Sequence, residues 1–469
     1  MNTLHTEVAV IGAGTAGLAA YRAAVAAGRR AVIIEGGVHG TTCARVGCMP
    51  SKLLIAAAEA AHVVEKWDAF GIRLDGRAAV DGRAVMARVK RERDRFVGFV
   101  VDGVERIPAS DRLQGYARFT GLTTLDVAGT TVQFERAVIA TGSSPAVPSL
   151  LKGAGDRLVI NDDVFSWDDL PRSVAVFGPG VIGLELGQAL HRLGVRVRMF
   201  GVSGSIGPFT DPALKAYARN TFAAEFPLDT EADVTAVERA TDGVVVRFVA
   251  QNGTAMAEQF DYVLAATGRS PNVRGLGLEQ LGIELDARGV PVFDRTTLQC
   301  GHSPIFIAGD ANDDLPLLHE AADEGRIAGD NAARYPDVQA GLRRAPLGIV
   351  FADPQLVTVG KRHADLAPGS HVTGVVSFED QGRSRVMLRN KGLLHVYADR
   401  ATGRLLGAEL MGPDAEHLAH LLAWAVQAGF TVRQALEMPF YHPVVQEGLR
   451  TALRDAAAKL AAESLQKAA

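Results

Sequence analysis

Cysteine is scarce in this chain, with three in 469 residues at positions 43, 48 and 300. Three thiols cannot build a disulfide framework, so a buried core must hold the fold, and a reducing cytoplasm is the expected compartment. An excess of basic charge is also missing. The formal net charge is −4, which leaves no electrostatic footprint for nucleic acid. No stretch of 18 or more apolar residues runs without a charge, so no membrane-spanning helix is expected. The opening residues Met1-Asn-Thr-Leu-His-Thr-Glu7 have no basic region and run straight into an apolar segment, so a secretory signal is not expected either. What remains, 48% hydrophobic and 22% charged, is ordinary globular composition. The length suggests about three domains. Glycine is abundant, with fifty residues, and the glycines fall at turns that carry function.

Two of the cysteines share one motif, Gly40-Thr-Thr-Cys43-Ala-Arg-Val-Gly47-Cys48-Met-Pro50-Ser-Lys52. On a regular helix residues five apart have Cα atoms roughly 8–9 Å from each other, whereas a disulfide needs about 4.4–6.8 Å. Bridging this pair must distort the turn, and Gly47 can take the unusual backbone angles. A strained bridge suits redox exchange better than structural stapling. Pro50 belongs in a first helical turn, which puts Cys48 near a helix N-terminus with Lys52 one turn on, and both favour a thiolate. A zinc site of His39, Cys43 and Cys48 lacks a fourth ligand. Two unrelated core cysteines remain open on the pair alone.

Residues 6–11 read as a buried strand running into Gly12-Ala-Gly14-Thr-Ala-Gly17, followed by an alanine-rich helix to about Ala27 and the strand Ala31–Ile34 ending in Glu35. This is a βαβ dinucleotide fingerprint: glycines for the tight turn and close phosphate approach, and an acid for a ribose hydroxyl. The pattern recurs. Ser173–Phe177 leads into Gly178-Pro-Gly180-Val181-Ile182-Gly183, a helix to about Leu193 and the strand Val195–Phe200. Each copy returns to an Ala-Thr-Gly, at Ala140-Thr141-Gly142 and at Ala266-Thr-Gly268. The duplication is the strongest architectural signal. The copies differ at one place, since 21 residues beyond Gly14 stands Glu35, and 21 beyond Gly180 stands Gly201. The second site therefore lacks its ribose acid, and no arginine follows to bind a 2′-phosphate, so NAD and NADP both stay open. Arg196 and Arg198 are expected to be solvated.

Residues 53–107 read as a helical insertion whose arginine run from Arg88 to Arg95 forms a solvated face. Residues 271–345 form a further segment ending a strand at Gly309-Asp310. From Ala345 the pattern turns to strands at 349–359, 371–377, 385–389, 392–398 and 405–411, then helices from about Ala415, as in a separate α+β domain. Cys300 reads as a small buried hydrophobe, and His417 and His420 read as packing residues on one helix face.

Assembled, the chain resembles the flavin-dependent pyridine nucleotide–disulfide oxidoreductases over essentially its whole length, and within them the dihydrolipoamide dehydrogenases. The resemblance rests on Gly12–Gly17 with Glu35, the Cys43–Lys52 motif, Ala140–Gly142, Gly178–Glu185, Ala266-Thr-Gly268-Arg269-Ser-Pro-Asn272, Ile307-Ala-Gly-Asp310, Phe351-Ala-Asp-Pro354 and His442-Pro-Val-Val-Gln-Glu447. It implies an α/β fold with two Rossmann-like domains and a C-terminal α+β dimerisation domain. The implied boundaries are 1–149 for FAD with the insertion at 53–107, 150–270 for NAD(P), 271–345 completing the FAD site, and 346–469 as the interface.

The resemblance also implies roles. Glu35 would take the adenosine ribose and Asp310 the ribitol of FAD. Lys52 would lie by the flavin N5 edge, paired with Glu185. Cys48 would be the thiolate against the flavin, and Cys43 the sulfur that exchanges with substrate. Further cofactor contacts would come from Thr42, Gly115, Thr141 and Gly142 on the flavin side and from Val181, Ile182, Gly183, Gly201 and Val234 on the nicotinamide side. Gly268, Arg269 and the backbone at Leu318 complete the set, with His319 playing only a positional part. His442 with Glu447 matches the family's base dyad, in which a carboxylate on one imidazole nitrogen fixes the tautomer and leaves the other free to take a thiol proton. In the family this histidine serves the other subunit, so a homodimer is implied. Arg45 stands where asparagine is common, and Tyr441 where a small residue is common; both bear on the substrates accepted.

The reaction expected is oxidation of a protein-bound dihydrolipoyl dithiol with NAD. An NAD(P)H-dependent reductase of a small disulfide is the alternative. Mercuric reduction is disfavoured because no cysteine pair lies near the C-terminus. A non-catalytic flavoprotein subunit would have lost the cysteines or the dyad.

Overall fold

A computed structural model describes residues 2–76, 78–250 and 252–468, with side chains up to Ala462. The chain divides into two compact units, one made of residues 1–53, 87–146 and 268–343, the other of 54–86, 147–267 and 344–469.

The first unit is built on a seven-stranded sheet. Its parallel centre runs Arg112–Gln114, Ala31–Glu35, Thr3–Ile11 and Thr130–Ile139, with Ile305–Ile307 also pairing to Thr130–Ile139. Val8 to Ile11 are buried on both faces, which is why the strand reads as a continuous apolar run rather than an alternation. Helix Thr15–Ala26 follows the first strand, and helix Leu318–Arg334 lies directly on it. The approach is possible only because of two glycines four apart. A Cβ on Gly325 would sit 2.1 Å from the Ala16 carbonyl, and one on Gly329 2.3 Å from that of Ala20. The two Thr-Gly returns also meet, since Ser143–Pro145 and Arg269–Pro271 pair antiparallel.

The second unit contains a five-stranded parallel sheet in the order Leu228–Asp229, Arg196–Phe200, Ser173–Phe177, Tyr262–Ala265 and Leu158–Ile160. It also holds an antiparallel triplet (Asp233–Ala240, Gly243–Val249, Ala255–Phe260) and a five-stranded antiparallel sheet covered by helices Ala415–Gln427 and Glu447–Ala468. The α/β architecture with duplicated dinucleotide units and a C-terminal α+β portion is as the sequence predicts.

Three local expectations fail. The apolar run at 385–389 is not a strand; residues Gly382–Val386 form a helical turn, because the Gln381 side chain caps it by accepting from the Ser384 N–H at 2.7 Å, and Leu388 turns away at φ +52°. The strand expected over 349–359 is a hairpin of Leu347–Val350 and Gln355–Gly360, broken where Pro354 cannot donate to a ladder. His417 and His420 are exposed rather than packed, with His420 Nδ1 2.7 Å from the Glu416 carbonyl.

Candidate active site

The two glycine cradles are nearly superimposable in their constraints. Gly12 (φ +107°) and Gly178 (φ +102°) lie where a Cβ would meet the carbonyls of Ala140 and Ala266 at 2.3 and 2.4 Å. A Cβ on Gly17 or Gly183 would fall 1.8 and 1.9 Å from the carbonyl oxygens of Gly12 and Gly178. Gly14 and Gly180 behave differently: each caps its helix in extended conformation, and a Cβ there would meet nothing within 4 Å. The packing does not require these two glycines, and each stands with open space at a helix N-terminus, a position suited to an anion such as a pyrophosphate. Val181 and Ile182 form the first turn beyond Gly180.

The acid of the first cradle is fixed by backbone. Glu35 accepts from the Ala13 N–H at 2.7 Å and from the Gly37 N–H at 2.8 Å. Gly115, at φ +150°, donates to the Glu35 carbonyl at 2.8 Å. Around Ala140-Thr141-Gly142, Asn272 binds back to the Thr141 and Gly142 carbonyls. Ser143 then ties two expected site residues together: it donates to Asp310 at 2.7 Å and receives from Arg269 at 2.7 Å. Neither Ser143 nor Asn272 was among the expected site residues, although each flanks a Thr-Gly return. Leu318 opens its helix, partly exposed.

The cysteine motif is two helices with a break. Thr42–Val46 is a short helix whose cap Thr41, at φ +57°, accepts from the Ala44 N–H. Gly47 interrupts at φ −127°, ψ −118°, and Cys48–Glu65 begins anew with Cys48 as its first residue. Both cysteines are free thiols, Cys43 half-buried and Cys48 exposed. The Cys43 thiol hydrogen-bonds Cys48, and that bond, with burial second, pushes it well above the usual thiol range. Cys300 is fully buried and inert by burial. Arg45 reaches back to the Val38 carbonyl at 3.4 Å. Lys52 lies one turn beyond Cys48 with Nζ 3.4 Å from Ser51 Oγ.

In the second unit, Glu185 is buried and accepts from the Phe351 N–H at 2.9 Å. Val234 lies at a bulge of its strand, paired with Phe248. Arg196 and Arg198 are not simply solvated: both pair with Glu258, and they cover the rings of Phe260 and Phe248. His442 is exposed, yet its Nδ1 is 3.0 and 3.1 Å from the two Glu447 oxygens. Arg450 and the Val444 N–H hold the same carboxylate. Tyr441 beside it is also exposed.

A hydrogen-bonded cysteine pair at a helix break in one unit, a dinucleotide cradle in each, and a histidine–carboxylate dyad on a C-terminal α+β portion are the parts of a disulfide oxidoreductase working through two nucleotide cofactors. The family models agree. Residues 6–325 match the pyridine nucleotide-disulphide oxidoreductase domain, and residues 347–453 match the dimerisation domain of the same family. The chain belongs to that family. Dihydrolipoyl dehydrogenase of Haloferax volcanii is 31% identical over 96% of both chains. Mercuric reductase of Shigella flexneri is 31% identical over 95% of this chain and 80% of its own. In fold, the chain is similar to HOCl-induced flavoprotein disulfide reductase RclA from Escherichia coli (TM-score 0.79, 22% identity, 96% of this chain and 99% of that one).

The family's cofactors are FAD and a pyridine nucleotide, and the residues present fit them. Thr141 Oγ1 and His39 Nδ1 are buried without a protein partner, as expected beside a polar group that the protein alone does not supply. The open space at Gly14 and Gly180 is free of side chains. The dimerisation domain supports a homodimer, and among the described residues no helix is long and apolar enough to cross a membrane.

Proposed function

We propose that the chain oxidises a dihydrolipoyl dithiol, carried on a protein or as a small molecule, with NAD as the electron acceptor. The observation that carries this reading is the hydrogen-bonded cysteine pair at a helix break, Cys48 exposed and Cys43 half-buried. Residues 1–149 and 271–345 would hold FAD through Gly12, Gly14, Gly17, Glu35, Thr42, Gly115, Thr141, Gly142, Arg269, Asp310 and the backbone at Leu318. Residues 150–270 would hold the nicotinamide nucleotide through Gly178 to Gly183, Gly201, Val234 and Gly268, and residues 346–469 would form the homodimer. Bound FAD would supply the two-electron link between the cysteines and nicotinamide.

The protein's own steps follow from the sulfurs. Starting from the oxidised pair, a substrate thiol, its proton taken by His442 of the partner subunit, attacks Cys43, the Cys43–Cys48 bond breaks, and Cys48 leaves as a thiolate with Lys52 one turn on. The second substrate sulfur then displaces Cys43 from the mixed disulfide, its proton passing to the released Cys43 sulfur, and the substrate leaves as the closed disulfide. Splitting the reaction in two predicts ping-pong kinetics. A cytoplasmic setting fits a pair that must cycle through its reduced form.

Anaerobic reduction of the holoenzyme by dihydrolipoamide, with NAD and NADP compared as acceptors, tests the reading. Bleaching of the flavin by dihydrolipoamide supports it; bleaching only by NADPH, with turnover of a small disulfide, reverses it. That second reading, a reductase of a low-molecular-weight disulfide, is favoured by one observation, the cationic Arg45 between the cysteines. Mercuric reduction is disfavoured, because the only cysteine outside the motif is the buried Cys300.

A further inference from the structure

The two cradles part company at the ribose acid, and the reason is a matched pair of substitutions. In the first cradle Ala13 donates its N–H to Glu35. The equivalent of Ala13 in the second is Pro179, which has no N–H to give. Its ring also fills the space of an acid side chain: a Cβ on Gly201 would lie 2.6 Å from Pro179 Cγ and 3.1 Å from Thr230 Cα. No acid can stand at 201, and nothing would anchor one there.

The neighbouring strand offers a replacement. Leu228–Asp229 runs parallel to Arg196–Phe200 with Phe200 opposite Asp229, so both strands end side by side. The loop beyond Phe200 is tied to the segment beyond Asp229 by three backbone bonds, Gly201 N–H to Asp229 O, Gly204 N–H to Thr230 O, and Ala232 N–H to Gly201 O. Glu231 sits between them, its own N–H held by Asp229 at 3.0 Å. Its side chain is exposed, and its Oε1 lies 3.4 Å from where a Cβ on Gly204 would stand. The loop itself supplies only the hydroxyls of Ser203 and Ser205, 3.3 Å apart. The nearest strand arginines, Arg196 and Arg198, are committed to Glu258.

We propose that Glu231, from the adjoining strand end, supplies the carboxylate that reads the adenosine ribose hydroxyls in the second cradle and makes the site select NAD(H) over NADP(H). A ribose hydroxyl can donate to this carboxylate; a 2′-phosphate would meet a like charge with no cation in the loop to offset it. The inference rests on the reading of residues 150–270 as the nicotinamide nucleotide site.

Isothermal titration of the holoenzyme with ADP-ribose and with its 2′-phosphorylated form tests it, alongside kcat/KM for NADH and NADPH. The wild type should favour ADP-ribose by roughly tenfold or more, about 1.4 kcal/mol. Glu231→Gln should cut that preference to about threefold or less and Glu231→Arg should invert it, while Glu238→Gln, on the antiparallel strand Asp233–Ala240 that follows, leaves it unchanged. Flavin content and reduction by dihydrolipoamide, which do not use this site, should stay as in the wild type. An unchanged preference in Glu231→Gln, or a wild type that favours the phosphorylated ligand, overturns the proposal. Failure of both ligands to bind overturns the site assignment beneath it, and the proposal with it.

Discussion

His442 Nδ1 and Glu447 Oε2 lie 3.0 Å apart on a surface-exposed segment, with Arg450 and the Val444 N–H gripping the same carboxylate. A solvated histidine would otherwise sample many rotamers, so these contacts hold the ring and leave Nε2 to act as a base. The hydrogen bond from His442, partly opposed by burial, keeps the Glu447 carboxyl below its ordinary value near 4.5. A depressed carboxyl keeps its orienting interaction above that value and loses it only as pH falls through the lower folded one. Replacing His442 by Gln should lower dithiol oxidation by about 10²–10⁴-fold. Glu447→Gln should lower it less, and by a near-constant factor between pH 5 and 9. A pH–rate profile of both variants checks this; an acid limb that moves into that window in Glu447→Gln would contradict it.

The cysteines should separate the two halves of the reaction. Cys43→Ser or Cys48→Ser removes the exchangeable S–S bond, so dithiol oxidation should fall to background. Reduction of the flavin by NADH, read as transfer to an artificial dye, needs neither sulfur and should persist within about threefold. FAD content, measured by absorbance, should be unchanged in both variants. Retention of full dithiol oxidation by Cys48→Ser would remove the cysteine relay from the mechanism.

How far the residues spoke for themselves depended on sequence distance. The cradle glycines and Glu35 lie within one βαβ unit, and their spacing alone places them together; the structure adds that Gly14 and Gly180 are the two that packing leaves free. The break at Gly47 was equally legible, because five-residue spacing cannot be bridged on an unbroken helix. The bond from Ser143 to Asp310 spans 167 residues, and no local pattern announces it. The strand expected at 385–389 failed because a cap from Gln381 outweighed the apolar run. Glu231 was missed for a different reason: a strand of two residues, Leu228–Asp229, is too short for periodicity to reveal that its end adjoins Gly201.

A buried polar knot in the second unit should make itself felt in acid. Asp211 caps helix Pro212–Ala223 and also accepts from His395 at 2.7 Å and Tyr397 at 3.0 Å. Burial alone would raise its carboxyl, but the hydrogen bond and charge of His395, then Tyr397, prevail and hold it at about 2. A depressed carboxyl stabilises the fold fully above its unfolded value near 3.8 and loses that contribution as pH falls through about 2. Asp211→Asn should therefore cost about 2 kcal/mol at neutral pH, a fall of roughly 4 °C in melting temperature. The penalty should be flat from pH 7 to about 4 and shrink below. Thermal scans of both proteins across that range test it, and a penalty that grows toward acid would contradict the assignment.

The Pro179–Gly201 pair carries a prediction about coupling. Gly201→Glu alone should not restore a ribose acid, because its Cβ meets the Pro179 ring at 2.6 Å and no N–H is there to hold the carboxylate. It should destabilise the fold by about 1–3 kcal/mol through overpacking and weaken ADP-ribose binding. Pro179→Ala alone should open space and leave affinity nearly unchanged. Together they rebuild the Ala13–Glu35 arrangement of the first cradle, in which the amide fixes the acid at 2.7 Å. The double variant should therefore bind ADP-ribose more tightly than either single one and recover most of the lost melting temperature. Residues in direct contact couple by about 0.5–3 kcal/mol, so a double-mutant cycle on affinity and stability resolves the effect. Strict additivity would mean that the proline and the glycine are not two halves of one exchange.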